Sequence, residues 1–74
     1  MLLSELKIGH KGRIVKVKSS PDSLALVEFG IVPGAEIELT LIAPLGDPIA
    51  IKLLGSTVAL RKKEASLISV ERID

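Results

Sequence analysis

Apolar and polar positions along the chain come in short blocks, punctuated by Gly and Pro. Gly9 and Gly12 bracket a turn. From Arg13 to Val17 the apolar Ile14, Val15 and Val17 are interleaved with Arg13 and Lys16. The alternation is imperfect, because Ile14 and Lys16 fall on one side. The β-branched content still predicts a strand. Ser20-Pro21-Asp22 reads as a helix start: Ser20 can cap free amides, Pro21 suits the first helical position, and Asp22 favours the positive end of the helix dipole. The helix is expected to run to Phe29, where Gly30 can take the left-handed conformation that stops it.

Val32-Pro33-Gly34-Ala35 matches a type II turn, with Pro first and Gly second. Glu36 to Leu41 alternates and predicts a strand with one wet face. Ala43-Pro44-Leu45-Gly46-Asp47-Pro48 is a loop. Ile49, Ile51 and Leu53 share one face of a further strand. Gly55-Ser56 is read as a hairpin turn into Thr57 to Leu60. Arg61-Lys62-Lys63-Glu64 is a charged turn, and Leu67 to Val70 is a last strand. The expected fold is mainly β: a single domain over residues 1–74, a small SH3-like barrel of about five strands with one short helix. An OB-type barrel competes but usually takes more residues.

The helix is the odd element, since Glu28 is the only polar residue between Leu24 and Phe29. At about 100° per residue, Leu26 lies nearly opposite Glu28. Leu26, Val27 and Phe29 are therefore expected to face the core, leaving Leu24 and Ala25 partly exposed beside Glu28. A helix so short cannot hold alone and must be pinned by packing.

Composition narrows the function classes. The 74 residues are 47% hydrophobic, with Phe29 the one aromatic and no cysteine. Disulfides, zinc fingers and iron–sulfur clusters are excluded, and the lack of disulfides favours the cytoplasm. No apolar run approaches the ~20 residues of a bilayer span. Met1-Leu2-Leu3 meets Ser4-Glu5 at once, which argues against a secretory leader. Ten Lys+Arg against nine Asp+Glu lack the basic excess of a dedicated nucleic-acid binder.

No catalytic constellation stands out. His10 is the only histidine and sits in a Gly-flanked turn; Glu36 and Glu38 share the wet face of a strand. Gly9-His10-Lys11-Gly12 lacks the Gly-Lys-Ser/Thr ending of a phosphate loop. Asp22, Asp47 and Asp74 lie in separate segments, so no internal metal site and no cofactor are expected. The expectation is a binding module and not an enzyme. Arg61-Lys62-Lys63 reads as a solvated turn first and a phosphate patch second.

Four segments carry a family resemblance in one colinear series. Leu3-Ser4-Glu5-Leu6-Lys7-Ile8-Gly9 followed by Gly12-Arg13-Ile14-Val15 resembles the opening of a FeoA domain. Phe29-Gly30-Ile31-Val32-Pro33-Gly34, Ala43-Pro44-Leu45-Gly46-Asp47-Pro48-Ile49 and Ala59-Leu60-Arg61-Lys62-Lys63-Glu64-Ala65 are similar to that family's helix end, its most recognisable loop and its closing segment. The resemblance implies an SH3-like barrel. It also implies a cytosolic accessory protein of bacterial ferrous iron uptake, binding and modulating a membrane transporter with a GTPase domain. Membrane association is then through that partner alone. Many members carry an Arg within the helix and an aromatic just after the hairpin glycine; here the helix has no Arg and Ser56 follows Gly55.

The competing reading is an RNA- or ribosome-binding barrel, since such barrels also open with glycine-spaced basic segments. Near-zero net charge and the lack of stacking aromatics weigh against it, and no nucleic acid is expected as a partner. A weak homo-oligomer is compatible with the sequence. The working surface is expected on the loop Leu45, Gly46 and Asp47, on the helix edge Leu24, Ala25 and Glu28, and on Arg61 and Lys62. Pro44 and Pro48 stiffen that loop, so docking costs it less entropy.

Overall fold

The computed structural model describes residues 1–74. Its strands are β1 Lys11–Val17, β2 Glu36–Ile42, β3 Ile49–Leu53, β4 Ser56–Leu60 and β5 Ile68–Arg72. All neighbours are antiparallel, in the order β4-β3-β2-β1-β5. The five expected strands are all present, and the sheet is not closed: β4 and β5 are its two edges. Two short helices are present where one was expected, α1 Ser23–Glu28 and α2 Lys62–Ala65. Leu3–Glu5 adds a turn of 3₁₀ helix.

Two bulges explain the imperfect alternation. β1 shifts register against β5 between Ile14 and Lys16, so Val15 is an extra residue. Ile14 is buried, Val15 is turned out at 53% exposure, and Val17 packs back against the core. β2 repeats the device between Leu39 and Leu41. The clean alternation read from Glu36 to Leu41 therefore breaks at Thr40: Leu39 is buried, Leu41 is exposed, and Ile42 returns to the core. Fully buried Leu3, Ile14, Leu26, Ile31, Leu39 and Ile51 lie at the centre. No polar side chain is buried.

The Arg61–Glu64 segment, read as a charged turn, begins the second helix. Glu64 Oε1 accepts the Arg61 N–H at 2.9 Å, which closes the turn, and Ala65 is fully buried beneath it. The hairpin turn also moves by one residue. Its central residues are Leu54 and Gly55, with φ of 52° and 81°, while Ser56 already pairs with Leu53. Positive φ at both central positions is the turn whose twist suits a two-residue hairpin. Gly34, with φ of 94°, takes the place the type II turn requires.

The helix α1 starts later than the sequence suggests. Residues 20–22 form a turn in which Ser20 Oγ accepts the Asp22 N–H at 3.0 Å. Its end is as expected. Gly30 has φ of 91°, its N–H donates to Val27 O, and the Ile31 N–H donates to Leu26 O. This pair of bonds is a Schellman motif, and Leu26 and Ile31, its hydrophobic pair, are both fully buried. The expected inward face is corrected: Leu26 alone is buried, while Val27 is 48% and Phe29 58% exposed. The motif tethers this short helix at its C-terminal end, and fewer than two turns present only one side chain to the core.

The two sheet edges are finished differently. Along β5, Leu2 bridges to Ser69, the Val70 N–H donates to Met1 O at 2.7 Å, and the Met1 ammonium donates to Val70 O at 3.1 Å. The outer edge of β4 carries no such strand.

Candidate partner-binding surface

The helix α2 joins the loop of residues 43–48 to α1. Asp47 Oδ1 accepts the Lys62 N–H at 3.0 Å, so the carboxylate preceding Pro48 satisfies a free amide of α2. The next residue, Lys63, places its Nζ 3.9 Å from Asp22 Oδ2 at the start of α1. Both links are exposed to solvent. They hold position more than they add stability.

The expected site residues fall into separate places. Leu45 stands 97% exposed at the loop tip, beside half-buried Gly46 with φ of 87°. Leu24 is 68% exposed, and Ala25 and Glu28 are exposed with it. Asp47 and Arg61 come together with Pro48, Ala59, Leu60 and Glu64 around an open recess of about 340 Å³. Glu28 lines a second recess of about 470 Å³ with Phe29, Leu53 and Leu54 and the outer strand β4. Leu24, Ala25, Leu45 and Gly46 line neither, and exposed Lys62 lies beside the first. Sequence reasoning missed Phe29, Leu54 and the β4 edge. Phe29 as the one aromatic, next to a helix-stopping glycine, was the available signal.

Elsewhere the ionisable groups are ordinary surface groups. Arg13 hydrogen-bonds Glu71 at 2.8 Å and lies 3.5 Å from Glu36, and these carboxylates hold its guanidinium more firmly protonated. The Asp74 carboxyl sits below its usual value because the Arg72 Nε–H donates to it at 2.8 Å. No three His, Cys, Asp or Glu side chains converge on a point that could hold a metal ion. No helix is long and apolar enough to cross a membrane.

The FeoA domain profile matches residues 1–72. The chain belongs to the FeoA domain family. A fusion of Fe(2+) transport protein A with the Fe(2+) transporter FeoB from Porphyromonas gingivalis is 36% identical over 74 residues. The match takes in 99% of this FeoA chain and 9% of the fusion protein. The solution structure of iron(II) transport protein A from Clostridium thermocellum superposes with a TM-score of 0.92 at 46% identity, over 99% of this chain and 46% of that one. The crystal structure of FeoA from Stenotrophomonas maltophilia with zinc, a prokaryotic SH3 domain protein, has a TM-score of 0.81 at 30% identity, over 96% and 89% of the two chains. The SH3-like expectation is thereby borne out for this FeoA chain.

Proposed function

We propose that this FeoA domain is a non-enzymatic accessory protein of ferrous iron uptake that docks on the cytosolic part of a GTP-hydrolysing iron transporter and modulates it. The observation that carries the reading is the fused relative, where a FeoA segment 36% identical to this chain is joined to an Fe(2+) transporter. Covalent fusion keeps two modules at high effective concentration, which suits partners that work together. The lack of a nucleophile–base pair in the sequence supports binding over catalysis. The docking surface we assign is Leu24, Ala25 and Glu28 on α1, Leu45, Gly46 and Asp47 on the loop, and Arg61 and Lys62 at α2. Leu45 and Leu24 are the apolar anchors, and the α2 links keep loop and helix in fixed relation.

The test is co-purification of the tagged chain with the detergent-solubilised FeoB-type transporter of the same cell. Retention on the wild-type chain and its loss with a Leu45→Glu, Leu24→Gln double variant is expected. A changed rate of GTP hydrolysis on adding the chain would establish modulation. Failure of the wild-type chain to retain the transporter would refute the reading.

A further inference from the structure

We propose that Asp47 is a positioning residue of the docking surface: it acts through Lys62 to fix the direction of Leu45, and does not itself hold the transporter. The inference rests on the transporter reading for its partner, and on the geometry of this chain alone for the positioning. None of residues 43–48 is buried, so no core contact orients the loop. Two internal bonds close it on itself, Ala43 N–H to Pro48 O at 3.0 Å and Gly46 N–H to Ala43 O at 2.7 Å. They give the loop a shape but no direction. Asp47 and Pro48 line the same open recess of about 340 Å³ as Leu60, Arg61 and Glu64, so solvent and not packing fills the space beside α2.

One hydrogen bond leaves the loop for an element beyond its flanking strands, from the Lys62 N–H to Asp47 Oδ1 at 3.0 Å. Its donor stands on firm ground. The Arg61 N–H donates to Glu64 Oε1 at 2.9 Å, the Ala65 N–H donates to Arg61 O at 3.0 Å, and Ala65 is fully buried. The acceptor is two residues from Leu45, whose 97% exposed side chain has no contact of its own to steady it. Beyond its two strand ends, the loop is therefore directed by Asp47 alone. A loop already held in its bound position loses less entropy on docking. A loop released from α2 docks only in the fraction of molecules that present Leu45 correctly, and its apparent affinity falls by that fraction.

Amide NMR relaxation of the purified chain, paired with titration against the detergent-solubilised FeoB-type transporter, tests the proposal. In Asp47→Ala the order parameters of the Leu45 and Gly46 amides are expected to fall from about 0.85 to below about 0.6, while the sheet amides stay rigid. Asp47→Asn keeps an oxygen for the Lys62 N–H without the charge, and is expected to hold both amides rigid. Asp47→Ala should weaken transporter binding by about fivefold, the factor a typical capping bond is worth, and Asp47→Asn should restore it. In a Leu45→Ala background the same Asp47→Ala change should add less than about twofold, because nothing is left to position. Rigid Leu45 and Gly46 amides in Asp47→Ala overturn the proposal. So does a fivefold loss that persists without Leu45 or that Asn fails to restore, since either makes the carboxylate a direct contact. If the wild-type chain binds no transporter, the transporter reading falls by itself, and the relaxation of the chain alone decides whether Asp47 positions the loop.

Discussion

Asp47 and Lys62 are fifteen residues apart in sequence, yet the Asp47 carboxylate accepts the Lys62 backbone N–H at 3.0 Å. The bond satisfies a free amide at the start of α2 from outside the helix, and it ties the 43–48 loop to the segment that carries the chain from β4 to β5. Asp47→Ala should lower stability by about 0.5–1 kcal/mol, the usual worth of such a cap, while Asp47→Asn should keep most of it. Urea melts of the three proteins check this. A larger loss in Asp47→Asn than in Asp47→Ala would contradict it.

Leu54 holds φ of 52° with its side chain 89% exposed, so it pays for a left-handed backbone without contributing to the core. Leu54→Asn should stabilise the hairpin by about 1 kcal/mol, since Asn tolerates this conformation far better. For a domain of this size that corresponds to a Tm rise of about 4–8 °C. Thermal unfolding by circular dichroism reads it directly.

Leu24 and Leu26 are two residues apart on α1 and opposite in burial, 68% exposed against 0%. Leu24→Gln should change stability by less than about 0.5 kcal/mol, as surface substitutions do. Leu26→Ala should cost about 2–5 kcal/mol and threaten folding outright in so small a domain. Melting and transporter retention measured on the same Leu24→Gln sample separate the two roles. Intact stability with weakened retention is the expected pair of results.

Gly30 ends α1 with φ of 91°, and an added Cβ would meet only Leu53 Cδ2 at 3.6 Å. Space is available, so the cost of Gly30→Ala comes from the backbone. The substitution should destabilise by about 1 kcal/mol or more. An unchanged denaturation midpoint would show that the Schellman end of the helix does not hold this conformation.

The Asp74 carboxyl lies below its ordinary value of 3.8, first because of the Arg72 hydrogen bond and against a smaller effect of burial. A depressed pKa in the folded state means the group favours folding above its unfolded value. That contribution disappears as pH falls through the folded value. Asp74→Asn should therefore melt slightly below the wild type at neutral pH, with the difference closing below the ordinary carboxylate range. Exposure keeps the effect small, and added salt should shrink it.

Some of this protein was legible in its residues alone. Strand blocks, the Gly30 helix stop, the Gly34 turn and the colinear FeoA-like segments all rest on local rules, which act within a few residues of chain. The mismatch of Ile14 and Lys16 was visible as well, although only pairing with β5 shows that it is a bulge at Val15. The outward turn of Leu41 had no local sign, because Glu36 to Leu41 alternates correctly until β3 imposes its register. The exposure of Val27 and Phe29 was hidden for a different reason. A helical wheel gives relative directions around α1, but Leu26 and Ile31 decide which direction the core occupies. Edges are not written in sequence either. Ser56–Leu60 and Ile68–Arg72 both read as strands, and only the assembled sheet covers one with Met1 and Leu2 and leaves the other bare. Local propensity determined the elements; long-range hydrogen bonding and burial decided which faces and which edge are left for a partner.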